Sequence, residues 1–160
     1  MKRLPDLPLE MKVFLTALLI FGGIAVLGGL SYILAAHGGE NGYSIGTSDI
    51  AALYTGPGTS LATIISLAHI HLLGLFAVFS IIGFIFMHST ISAGWKVFWS
   101  VLPYVAFLVD VSGWFLTKLA GYGFVYLVIF GGAIFTLALT SMILMSLYEL
   151  WIGPLGKKTT

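Results

Sequence analysis

The chain has 160 residues, 59% of them hydrophobic and only 8% charged, with a formal net charge of +1 and no cysteine. A water-soluble domain carries about 25% charged residues, so this surface must face mostly lipid, and the near-zero net charge offers no field for nucleic acid. The missing thiols exclude disulfides, iron–sulfur clusters and covalently attached c-type haem.

Four apolar stretches run through the chain at about 13–36, 60–87, 97–119 and 123–151. Each reaches the roughly 20 residues that a helix needs to cross a hydrocarbon core of about 30 Å. They are continuously apolar and do not alternate, and backbone polar groups in lipid must be satisfied within the segment, so helices are expected rather than strands. The first stretch follows a basic start (Lys2, Arg3, Lys12) and exceeds the ~7–15-residue apolar core of a signal peptide. It therefore reads as a span and not a leader. The expected fold is all-α: a single integral membrane domain, an antiparallel four-helix bundle.

Between the first two spans lies the one sizeable loop, 37–59, rich in Gly, Ser and Thr. Within it Thr47–Tyr54 reads as a short interfacial helix. Gly56-Pro57-Gly58 breaks the chain, and Thr59 or Ser60 suits the cap of the second span. The turns at 88–96 and 120–122 are short, which sets neighbouring spans antiparallel. Lys2, Arg3, Lys12, Lys96, Lys157 and Lys158 fall at one side and Lys118 alone at the other. The excess predicts cytoplasmic termini, in a bacterial inner membrane, with the 37–59 loop outside.

Ionisable groups within a span are costly and mark sites by default. Asp110 lies nine residues from the outer end of the third span, about 13 Å deep at the helical rise of ~1.5 Å per residue. His71 falls at a similar depth in the second span. Counting the same distance along the first and fourth spans reaches Gly28-Gly29 and Gly131-Gly132. Small residues flank both groups: Ala68 and Gly74 share the face of His71, while Ala106, Gly113 and Trp114 share that of Asp110. Such residues permit close helix approach or leave room for a flat ring. His69 and His71 point ~200° apart on a regular helix, so only one faces the interior, and the small-residue face selects His71. His37, at the outer end of the first span, is a further candidate. Glu149 reads as hydrated at the headgroups and His88 as a turn residue.

Three readings of His71 and Asp110 stand side by side. The first is a b-type haem ligated by His71, with His69 or His37 as the second axial ligand and Asp110 orienting the imidazole. The second is a quinone pocket in which imidazole and carboxyl exchange protons with the ring oxygens. The third is a buried Asp–His bond that only joins two helices.

The run Ala68-His69-Ile70-His71-Leu72-Leu73-Gly74 resembles haem-binding helices of cytochrome b-like and haem–copper oxidase-like membrane subunits. With the later Asp110-Val111-Ser112-Gly113-Trp114 it is similar to small four-helix proteins of bacterial electron-transfer operons. The oxidase core has more helices and more histidines than the four present here. The resemblance therefore implies a redox-linked subunit that is not catalytic alone. Its cofactor would be haem b or quinone, held by His71, His69, His37, Asp110 and Trp114. Its partners would be the lipid bilayer, the quinone pool and a larger membrane redox complex or cytochrome. A non-catalytic accessory subunit and a small proton-coupled carrier are the other functional classes that the pattern permits.

Overall fold

The computed structural model describes residues 2–37 and 46–156, and of 33–37 only the backbone. The chain forms α1 (Leu9–His37), α2 (Thr47–Thr55), α3 (Leu61–Met87), α4 (Ala93–Leu119) and α5 (Val125–Trp151), with single 3₁₀ turns at Leu4–Asp6 and Tyr122–Phe124. Four of these, all but α2, are long and apolar enough to cross a membrane. No strand occurs among the described residues. The molecule is an all-α membrane helical bundle.

Local signals set the boundaries. The Asp49 carboxylate reaches back to accept from the Gly46 N–H at 2.8 Å, satisfying a donor at the start of α2. Ser60 caps α3, its Oγ accepting from the Thr63 N–H at 3.1 Å. Between them Gly58 takes φ +90°, a conformation open to glycine at little cost. Gly121, at φ +122°, closes α4, and its N–H bonds the Leu116 carbonyl at 3.1 Å.

α4 and α5 are the most intimate pair, and α3 packs across both. The reason is the absence of side chains at two seam positions. A Cβ on Gly131 would lie 2.6 Å from the Asp110 backbone nitrogen and 2.7 Å from the Ala106 carbonyl oxygen. A Cβ on Gly113 would lie 2.8 Å from the Val128 nitrogen. In lipid, where burial of apolar surface gives helices no reason to associate, such close approach supplies the dispersion contacts that hold them. Gly131 therefore makes a helix–helix contact rather than space for a flat ring.

The centre is aromatic. Phe79 meets Phe107 and Tyr104 edge-on, with ring centroids 5.9 and 5.4 Å apart, and Phe107 meets Phe135 at 5.8 Å. α1 is the most peripheral span, with Phe14, Phe21, Ile24 and Leu27 exposed along it.

At the basic end, the N-terminal segment tucks beneath the bundle. Leu4 is wholly buried, and its N–H donates to the His88 carbonyl at 3.0 Å. Glu149, expected in water, is instead 1% exposed. Its two oxygens accept from the Thr90 N–H at 3.0 and 2.8 Å, and from the Leu155 N–H at 3.2 Å. The Thr90 hydroxyl donates to the same carboxylate and accepts from the Gly156 N–H. The carboxylate thus joins the end of α5, the turn between α3 and α4, and the chain that follows α5. Burial is tolerable because backbone donors replace water.

Candidate functional site

In the half of the bundle away from Lys96, Asp110 and Trp114 occupy successive turns of one α4 face. The spacing of four residues puts them one above the other. The Trp114 indole N–H donates to Asp110 Oδ1 at 3.1 Å, and both side chains are buried. Asp110 Oδ2 has no hydrogen bond among the described residues. One turn further out on that face, Thr117 is 1% exposed and its hydroxyl has no partner there either.

His71 approaches this pair from α3. Its ring meets Trp114 edge-on, with centroids 5.3 Å apart and planes at 88°. His71 and Asp110 are thus not bonded to each other, and the indole stands between them. The imidazole Nδ1 lies 2.8 Å from the Leu67 carbonyl oxygen. A carbonyl only accepts, so Nδ1 carries the hydrogen, and in the neutral ring Nε2 keeps its lone pair free. His71, expected to face the interior, is instead exposed on the surface of the bundle. Gly74, one turn inward on the same face, has no atom within 4 Å of where a Cβ would sit.

The other histidines separate from this cluster. His69 is exposed and makes no hydrogen bond among the described residues. His88 sits at the basic end with its Nδ1 on the Phe84 carbonyl at 2.9 Å. The side chain of His37 lies outside the described residues, as do Lys157 and Lys158. Among the described residues no three His, Cys, Asp or Glu side chains converge as a metal set.

Tyr54 is the member that reading the sequence did not single out. It lies on α2, in a polar loop whose composition suggests solvent, yet it is buried and stacks on Trp114, with centroids 5.8 Å apart and planes at 19°. The signal available in the sequence is its three-residue spacing from Ala51, also buried, which gives α2 one inward face. Burial, and next the charge of Asp110, push the Tyr54 hydroxyl well above the usual tyrosine range.

That shift has a measurable consequence. An unfolded chain gives up the phenolic proton near pH ~10, while the folded chain keeps it. The stability linked to this proton is present below that pH and is lost as pH rises above it. Unfolding followed in detergent between pH 8 and 11 should show a smaller alkaline loss in Tyr54→Phe than in the wild type. An identical loss in both would disprove the coupling.

Comparison with known proteins gives one match. A family model, Aq_1264_TM, described as a transmembrane helical domain, covers residues 49–158. No curated protein and no solved structure matches the chain.

Proposed function

We propose a function for a chain that belongs to the Aq_1264_TM family of transmembrane helical domains: it binds a membrane quinone at His71 and serves as an electron-transfer subunit. It would link the quinone pool to a redox centre in a partner protein. The observation that carries this reading is the His71 imidazole, exposed on the flank of the bundle with its Nδ1 on the Leu67 carbonyl, which leaves Nε2 as the nitrogen available to a ligand. In the neutral ring such a nitrogen accepts a hydrogen bond from a quinol hydroxyl; oxidation to the quinone releases two protons, one taken by Nε2 and the other by water, together with two electrons. Trp114 packs behind the imidazole and connects it mechanically to the buried Asp110. The two electrons pass to the partner's redox centre. Lateral entry suits a lipid-soluble ring, because the site opens on the flank of the bundle.

Haem b is the second reading, favoured by the same lone pair, which is the form of imidazole that ligates iron. The donor set fits it less well. His69 turns to another side of α3, so the described residues offer one axial nitrogen and no second. The basic residues Lys2, Arg3, Lys12 and Lys96 at one end, against Lys118 at the other, support cytoplasmic termini in a bacterial inner membrane. The chain is a multi-pass membrane protein, and the exposed flank of α1 suits packing against a larger complex.

The test is cofactor content after purification in mild detergent. Quinone should co-purify with the wild type and fall at least about tenfold, a loss of some 1.4 kcal/mol in affinity, in His71→Ala but not in His69→Ala. A Soret band lost in His71→Ala would replace quinone by haem. Neither cofactor, in protein that folds normally, would leave an accessory subunit of a larger membrane complex.

A further inference from the structure

A second site lies at the opposite, basic end and does not depend on the reading of His71. The turn between α3 and α4 brings two cations onto one acceptor. Arg3 Nη1 donates to the Ser89 carbonyl oxygen at 2.8 Å, and Lys96 Nζ donates to the same oxygen at 2.9 Å. The two cationic nitrogens are therefore closer together than two hydrogen-bond lengths. Like charges at that range repel, and among the described residues neither has a carboxylate at ion-pair distance. Glu149, at the same end of the bundle, is engaged by Thr90 and Leu155 instead.

Arg3 is also held in place. Leu4 is wholly buried and its N–H is bonded to His88, so the guanidinium is presented from a fixed backbone. One of its five hydrogens is used, and the others have no partner among the described residues. The start of α4 adds donors to the same corner. Ser92 makes no side-chain cap bond, which leaves the first-turn N–H groups of α4 without a side-chain acceptor. The Ser89 hydroxyl, on a residue with no exposed surface, also has no partner among the described residues. Gly94, in the first turn of α4, has no atom within 4 Å of where its Cβ would be.

The depth of this corner identifies its anion. Trp95 and Trp151 are exposed at the same end, where aromatic side chains mark the level of lipid headgroups. We infer that Arg3, beside Lys96 and the start of α4, binds the phosphate of an anionic phospholipid headgroup. The guanidinium fork matches two phosphate oxygens. Lys96, largely buried, contributes charge. The helix N-terminus adds free N–H groups and the positive end of its dipole. Bound phosphate would offset the repulsion between the two cations, locking the N-terminal segment to the turn.

The experiment is native mass spectrometry of the full chain in neutral detergent, with added phosphatidylglycerol or phosphatidylcholine. The wild type should retain phosphatidylglycerol at least tenfold better. Arg3→Gln should abolish the preference. Because Arg3 also bonds Ser89, a second variant leaves that contact alone. Gly94→Asp places a carboxylate in the open space at the start of α4, where it favours the helix and repels phosphate. It should melt no lower than the wild type in neutral detergent and still lose the preference. An undiminished preference in Arg3→Gln or in well-folded Gly94→Asp would overturn the assignment. So would the absence of any preference in the wild type. Inorganic phosphate at millimolar concentration that raised the melting temperature as fully as the lipid, and in the same Arg3-dependent way, would overturn the lipid as source and leave a soluble anion.

Discussion

Replacing Gly131 by leucine is expected to separate α4 from α5 and to cost at least about 3 kcal/mol of stability, at the upper end of what overpacking does. The side chain would have to enter backbone, since the contacts at 2.6 and 2.7 Å are the Asp110 nitrogen and the Ala106 carbonyl oxygen. Backbone within a helix cannot rotate aside as a flexible side chain can. The neighbouring Gly132 provides the control, because only the edge of Phe135 lies near, at 4.0 Å. Gly132→Leu should change stability by no more than about 1 kcal/mol. Unfolding of both variants in detergent, followed by circular dichroism, checks the contrast. Equal tolerance at the two positions would show that the α4–α5 seam is not closed as described. The effect should extend to the site around Trp114, since Asp110 is itself a seam residue and would be displaced with α4.

The second large effect is expected from Glu149→Ala. The carboxylate accepts from the Thr90 and Leu155 N–H groups and from the Thr90 hydroxyl. Its removal strands these donors in a partly buried corner, each at a cost of ~1–3 kcal/mol, so a total of about 3 to 5 kcal/mol is expected. Glu149→Gln keeps one acceptor oxygen and should recover part of the loss. The chain after Trp151 should also be released, because Leu155 and Gly156 are held only through Glu149 and Thr90 in the bonds described. Limited proteolysis at residues 152–156 should therefore accelerate in Glu149→Ala. Wild-type stability and wild-type protection together would show that the carboxylate is hydrated and not structural.

Glu149 also shows where reading along the chain misleads. A carboxyl a few residues from the end of an apolar run is ordinarily in water, and nothing in its neighbours contradicts that. Its partners lie 59 positions away at Thr90, and such a pairing has no local signature. Tyr54 was hidden for a related reason. The polarity of the 37–59 loop describes its average environment, whereas the burial of one tyrosine depends on α2 being laid against α4 near Trp114. Asp110 and Trp114 were easier, because a four-residue spacing on one helix is a local fact. The choice of His71 over His69 as the inward histidine rested on flanking Ala68 and Gly74. The structure leaves both histidines exposed, so neither is an interior residue, although the His71 ring does meet Trp114 edge-on.

The sequence by itself determined that the chain lies in a bilayer and that it crosses as helices. Twenty-residue apolar runs and 8% charge leave no other way to satisfy solvent and backbone together. It also determined several boundaries, such as Ser60 and the glycines around Pro57, because capping and turn geometry are settled within a few residues. Only the tertiary structure decided which glycines are contacts and which are open. It set Trp114 between His71 and Asp110, and it brought Arg3 and Lys96 to one carbonyl oxygen. Those outcomes depend on how helices rotate and slide against one another. That choice is made by the sum of many weak packing contacts between distant parts of the chain, and no single stretch of sequence contains it.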